Sequence, residues 1–299
     1  MLLSQGPVTL LDLQFQTEGT VGAFLLRTPA GPVLVETGPE SLLANLQSAV
    51  QAQGYALEDI RHVFVTHVHL DHAGAAWRLA RHGAQIYVHP RGAPHLQDPG
   101  KLLSSAQRIY GDAMDRLWGR LEPIAAERIV PLDDGQTVRF GAVAIQAIHT
   151  PGHAIHHITF RLDDGLFTGD VGGIRIGNGP TIPPFPPPDI GLEAWTDSIQ
   201  RMRACGPTFI YPTHFGIKSD GAAHFDSLEE NLHRMAGWVK AKLVAGMTEE
   251  AMVPLFQNFM HDLLAGCGLQ ERAIKDYEIA DPAFMSVHGL ARYWKKRGP

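Results

Sequence analysis

The sequence predicts an α/β body running to about residue 221, followed by an all-helical extension over 222–299. Three observations carry that prediction. Short β-rich runs alternate with helical periods through the first two thirds of the chain. Histidines and aspartates recur where the β runs end. From Asp226 onward the periodicity is helical only.

The elements follow in order. The N-terminal stretch MLLSQGPVTLLDLQFQ lacks a basic start and is broken by Gly6, Pro7 and Asp12, so it does not read as a signal peptide. TVGAFLLRT (20–28) and GPVLVETG (31–38) are β-rich and flank Pro-Ala-Gly turn chemistry, which predicts a hairpin. SLLANLQSAVQAQG (41–54) places Leu42, Leu43, Leu46, Ala49 and Val50 at helical spacing and closes on Gly54. RHVFVTH (61–67) reads as a strand, AGAAWRLARHG (73–83) as a helix closing on Gly83, and AQIYVHP (84–90) as a strand.

Residues 101–122 read as helical, with Ile109, Met114 and Leu117 on one side. Strands dominate from 127 to 170, in TVRFGAVAIQAIHT, HHITFRL and GLFTGD. LEAWTDSIQRMRAC (192–205) sets Leu192, Trp195, Ile199, Met202 and Cys205 on one helical stripe, and TFIYPTH (208–214) is a final strand. The extension opens at Ser227-x-x-Glu230, a capping-box pattern, and continues in helical patterns at 248–264, 270–280 and 282–297. Within the body, soon after Asp170, lies GNGPTIPPFPPPDIG (177–191), a stiff extended loop with six prolines from Pro180 to Pro188. It is read either as a plain connection or as a pocket wall.

Composition excludes several functions. With 44% hydrophobic residues the chain can bury a sizeable core. A net charge of −6 disfavours nucleic acid, whose binding needs Lys and Arg against phosphate. Lys295, Lys296 and Arg297 read as a solvated tail. No stretch approaches the ~18 apolar residues of a membrane helix. Cys205 and Cys267 form no CxxC, which excludes a thiolate zinc site. Both lie in apolar helical patterns and are expected to be buried. The expected setting is reducing and cytoplasmic.

The chemistry concentrates in THVHLDHAG. His67 and His69, two residues apart at a strand end, can point the same way and converge on one ion. Asp71 and His72 follow where the chain turns into the next helix and can be aimed at a second point. This donor set suits zinc or a comparable first-row ion such as iron or manganese. Four unrelated polar residues would not crowd one junction in this way. His153 in HTPGH, Asp170 in LFTGD and His214 in IYPTHFG also end apolar β runs. A threonine precedes His67 and His214 directly and stands two before Asp170. Strand ends on one edge of a sandwich form a common rim.

Together THxHxDHAG, HTPGH, TGD and THFG resemble the metallo-β-lactamase fold superfamily. They fall within residues 66–216. The resemblance implies an αβ/βα four-layer sandwich. It implies that His67, His69 and His153 hold one divalent metal ion, that Asp71, His72 and His214 hold a second, and that Asp170 bridges both. It further implies a hydrolase with Asp71 and Asp170 in the catalytic centre, in which a hydroxide between the two ions attacks a carbonyl carbon or a phosphorus.

The full HxHxDH set resembles the glyoxalase II, lactonase, RNase Z-like and persulfide dioxygenase branches. Nuclease action sits badly with the net charge. The tyrosine of quorum-signal lactonases is replaced here by Gly173, and the Glu of flavodiiron reductases by His69. Glyoxalase II holds glutathione through basic residues of its C-terminal helices, where this chain offers Arg272, Lys275 and Lys295 to Arg297. The expected substrate is a small-molecule ester, thioester or lactone. The alternatives are a mononuclear iron persulfide dioxygenase using His67, His153 and Asp170, and a metal-stabilised binding protein without catalysis. His149, His156, His157 and His89 are read as structural, and Arg175 and Asn178 as possible contacts to an anionic substrate. The extension is expected to cover the site or to build a homodimer interface.

Overall fold

The computed structural model describes residues 4–298; residues 1–3 and 299, at the two ends of the expected domains, lie outside the described residues. Among those described, two sheets face each other between layers of helix. The first sheet has seven strands in sequential order: β1 (Ser4–Gln5), β2 (Val8–Asp12), β3 (Gly22–Thr28), β4 (Gly31–Val35), β5 (His62–Phe64), β6 (Gln85–Val88) and β7 (Ile129–Pro131). The second has five: β8 (Thr137–Phe140), β9 (Val143–His149), β10 (Ile158–Leu162), β11 (Gly165–Phe167) and β12 (Phe209–Tyr211), with β12 parallel to β11. The hairpin of β3 and β4 pairs Thr28 with Gly31, as the turn chemistry predicts. Strand β2 adds to the predicted elements; it buries Val8 to Leu11 against β3.

Period-two alternation builds the layers. In β3, Phe24 and Leu26 join Phe160, Phe167 and Tyr211 between the sheets. Ala23 and Leu25 face the opposite way, into a cluster with the first helices. Those helices are α1 (Leu43–Ala52), α2 (Leu70–Ala73), α3 (Ala76–Arg81), α4 (Ala93–Gln97), α5 (Gly100–Tyr110) and α6 (Met114–Trp118). On the far side, α7 (Leu192–Ala204) lays Trp195, Ile199 and Met202, all fully buried, over Ile148, Leu166 and Ile210 of the second sheet. The αβ/βα sandwich is thereby as expected.

The extension comprises α8 (Gly221–Val244), α9 (Glu249–Gly266), α10 (Glu271–Ala280) and α11 (Ala283–Arg297). Its apolar stripes share one cluster with Val171, Ile174 and Trp195, so they bury against the body. The predicted capping box is absent. Helix α8 begins six residues before Ser227, because His224 and Phe225 are buried, and Ser227 Oγ accepts from the Thr181 N–H at 2.9 Å instead.

Other differences are local. The predicted helix over 101–122 breaks into α5, a turn and α6, with Gly111 (φ 51°) and Gly119 (φ 69°) ending the two pieces in backbone that only glycine adopts freely. The predicted strand 61–67 stops at Phe64. Cys205 is half-buried and Cys267 exposed, correcting the expectation that both are buried. Each sits at the C-terminal end of its helix, where the apolar stripe runs out into solvent.

Candidate metal centre

All seven predicted donors meet at one rim of the sandwich, where β5, β9, β11 and β12 end. After β5 the chain bends through Thr66 and His67 to His69, which precedes α2 in an extended conformation. The two imidazoles therefore converge through a bend and not along a shared strand face. Asp71 and His72 stand on α2, His153 on the loop between β9 and β10, Asp170 on a 3₁₀ turn after β11, and His214 after β12.

The donors form two groups. His67 Nε2 and His153 Nε2 each lie 3.0 Å from His69 Nδ1. Asp170 Oδ2 stands 3.3 Å from His153 Nε2 and 3.9 Å from His67 Nε2. On the other side, Asp170 Oδ1 lies 3.1 Å from His72 Nε2 and 3.4 Å from His214 Nε2. Asp71 Oδ2 is 3.6 Å and 3.4 Å from those same nitrogens. Each group offers four ligand atoms within 4.8 Å of one another. Four tetrahedral donors ~2.1 Å from one ion stand ~3.4 Å apart, so each group fits a single ion and Asp170 presents one oxygen to each.

The opposite ring nitrogens are held. His67 Nδ1 meets Thr66 Oγ1 at 3.0 Å, His153 Nδ1 meets the Pro184 carbonyl at 3.0 Å, and His214 Nδ1 meets the Thr20 carbonyl at 2.6 Å. A carbonyl can only accept, so the His153 and His214 rings donate from Nδ1 and leave Nε2 bare for a cation. His72 Nε2 and Asp170 Oδ1 are buried without a hydrogen-bond partner, as expected of groups shaped for a metal.

The electrostatics agree. Burial, reinforced by neighbouring imidazoles, holds His67 and His69 well below the ordinary histidine range, and burial lowers His153. These rings are therefore neutral, the form that ligates. Burial also opposes charge on His72, but Asp170, Asp71 and Glu36 outweigh it and hold that ring well above its ordinary value. Burial pushes the Asp71 carboxyl up, yet the neighbouring His72 and His214 bring it down to about 2. The two carboxylates of the second group, half-buried Asp71 and buried Asp170, thus call for positive charge beside them.

Close approach of the two sheet ends depends on Gly169 (φ 48°), where a Cβ would sit 2.5 Å from Thr66 Oγ1 and 2.7 Å from His157 Nε2. His157 is structural: Nδ1 meets Thr150 Oγ1 at 2.9 Å, and Nε2 accepts from the Val171 N–H at 3.4 Å. His149 Nε2 bonds the Leu132 carbonyl, and His89 Nδ1 accepts from the Arg91 N–H. His156 is buried beside His95 and belongs to neither donor group. Arg175 is taken up by Asp220, with two contacts of 2.7 Å, and Asn178 is exposed.

The structure adds residues that sequence reasoning misses. Glu36, fully buried at φ 65°, accepts from Thr66 Oγ1 and stands 3.4 Å from His72 Nδ1. Its signal is present: an acid directly after the apolar run VLV, like the other strand-end acids. Tyr110 and Asp281 line the cleft above the centre but carry no sequence signal. The Pro-rich loop is a wall of that cleft, through Pro184 and Pro186 to Pro188.

No helix among the described residues is long and apolar enough to cross a membrane. A family model described as the metallo-beta-lactamase superfamily matches residues 17–214. The chain is 28% identical over 183 residues, 60% of its length and 67% of the other's, to the metallo-beta-lactamase fold-containing protein ST1585 of Sulfurisphaera tokodaii. It is 28% identical, over 71% of its length, to an atrochrysone carboxyl ACP thioesterase of Aspergillus fumigatus, of which the match spans only 41%. A solved metallo-beta-lactamase family protein from Thermus thermophilus superposes with a TM-score of 0.70 at 18% identity, covering 98% of this chain and 94% of that one. That last likeness is one of fold, and it takes in the helical extension.

Proposed function

The chain belongs to the metallo-β-lactamase superfamily, and on that premise we propose that it is a dinuclear metal-dependent hydrolase of a small-molecule ester, thioester or lactone. The observation that carries this reading is the carboxylate of Asp170, which turns one oxygen toward each of two complete donor groups. His67, His69 and His153 would hold one ion, and Asp71, His72 and His214 the other. Zinc is the first choice for such a His/Asp set, with iron or manganese also fitting. Two divalent ions supply Lewis acidity and a water-derived nucleophile at neutral pH.

The chain's own residues do the rest. Thr66, Pro184 and Thr20 orient the imidazoles through their Nδ1 atoms. Asp170 balances charge between the two positions. Asp71, ionised at neutral pH, lines the floor of the cleft beside His214. The Pro-rich loop and the extension narrow access of bulk water. The fungal thioesterase among the relatives supports a thioester as the first substrate to try. Two free cysteines suit a reducing compartment such as the cytoplasm.

The test is metal content per chain by elemental mass spectrometry, on protein purified without added metal or chelator, followed by an ester, thioester and lactone panel. About two equivalents per chain with hydrolysis supports the proposal. About one equivalent of iron, with oxygen uptake on a persulfide and no hydrolysis, replaces it with the dioxygenase reading.

A further inference from the structure

Above the donors lies a cleft of about 1050 Å³, counted out to its mouth. Its floor is His69, Asp71, Asp170 and His214. One wall is α5 and α6, with Leu102, Ile109 and Trp118 turned inward; the opposite wall is the Pro-rich loop. The roof comes from the extension, through Ile279 and Ala280 at the end of α10, the linking Asp281 and Pro282, and Met285 of α11. Phe15 stacks on Trp118 at 5.3 Å, and Tyr110 meets Trp118 edge-on at 5.0 Å, which makes an aromatic patch at one end.

No Lys or Arg lines this space among the described residues. Arg272 and Lys275, which could have held an anionic thiol cofactor, lie outside its lining. The polar groups away from the floor are Gln16, Ser105, the Tyr110 hydroxyl, the unpartnered Trp118 indole N–H and Asp281. Asp281 accepts from Ser286 Oγ at 2.6 Å, and burial pushes its carboxyl up to about 8, so at neutral pH it is mostly uncharged. A phosphate, sulfonate or carboxylate entering here would lose its hydration and find no cation on the walls. Hydrocarbon entering here would be freed from water on three sides.

We propose that this cleft selects an uncharged substrate whose acyl side is a bulky aliphatic or aromatic group, seated between α5–α6 and the α10–α11 linker. The inference rests on the hydrolase reading for the identity of the reacting bond. Its test does not need turnover. Methyl ketones from 2-butanone to 2-decanone carry the carbonyl and the chain but cannot be hydrolysed. Their binding is measured by calorimetry on the full chain as purified.

Affinity rises about fourfold per methylene, the equivalent of ~0.8 kcal/mol for each buried CH₂. 2-Decanone carrying a terminal sulfonate binds at least tenfold more weakly than 2-decanone. Leu102→Lys and, separately, Ile109→Lys, both at half-buried positions of α5, each weaken 2-decanone at least tenfold and leave 2-butanone nearly unchanged, with circular dichroism melts showing that each variant is folded. An affinity that does not rise with chain length, or a sulfonate that binds as tightly as the parent ketone, overturns the proposal. The two readings fail separately. Steep ketone binding with no hydrolysis of any ester, thioester or lactone removes the hydrolase reading alone. Hydrolysis with flat ketone binding removes the cleft assignment alone.

Discussion

One buried carboxylate serves both donor groups by different routes, and substitution can separate them. Glu36 reaches His72 directly, 3.4 Å from Nδ1. It reaches His67 only through Thr66, whose hydroxyl donates to Glu36 and accepts from His67 Nδ1. Glu36→Gln keeps an oxygen for Thr66 but removes the charge beside His72. Unit charges at 3.4 Å interact by about 5 kcal/mol at an effective dielectric of ~20. A ligating imidazole is neutral and carries only part of a charge, so the net effect on ion binding is a fraction of that. A loss of 10–100-fold in affinity, about 1.4–2.7 kcal/mol, is expected at the second position, with less than about threefold at the first. Thr66→Val reverses the pattern, because it frees the His67 ring to rotate and leaves His72 facing an intact carboxylate. The assay is a competition titration of zinc into chelator-stripped protein with a coloured indicator, which resolves two affinities. Equal losses at both positions in both variants, or no loss in either, would refute this assignment of roles.

Two further predictions follow from single residues. Gly169→Ala places a Cβ against Thr66 and His157 at positive φ, so overpacking and backbone strain together cost about 2–4 kcal/mol, and Asp170 is displaced from both donor groups; urea unfolding with metal analysis should show lower stability and less than one ion per chain. Asp281→Asn tests the buried acid under the roof. The unfolded carboxyl titrates near its ordinary 3.8 and the folded one at about 8, so the parent carries no penalty below pH 3.8, a growing one between the two values, and a constant one above 8. The variant should therefore gain on the parent as pH rises through that window, by at most about 1.4 kcal/mol per pH unit; melting curves that stay parallel from pH 4 to pH 9 would sink the claim.

The chain's own order of residues already contained the fold class and the seven donors. Alternation in β3 and the stripe of α7 are local patterns, set by where hydrophobic side chains fall along a strand or a helix turn. The donors were legible because His67, His153, Asp170 and His214 each come soon after an apolar run, and because imidazoles and carboxylates crowd one turn as densely as in HVHLDH chiefly to hold a cation. Glu36 shared the same position at a strand end but stood alone, so nothing local set it apart. The Thr20 and Pro184 carbonyls that fix His214 and His153 were beyond any pattern, because every residue has a carbonyl and only the path of the chain decides which one arrives. The same holds for the cleft. Its α5–α6 wall, its proline wall and its roof come from segments more than sixty residues apart, brought together by burial of the extension against the body. Sequence determined which atoms can bind metal, because that is a property of side chains. Tertiary structure decided what stands over them, because the shape and charge of an enclosed space belong to no segment by itself.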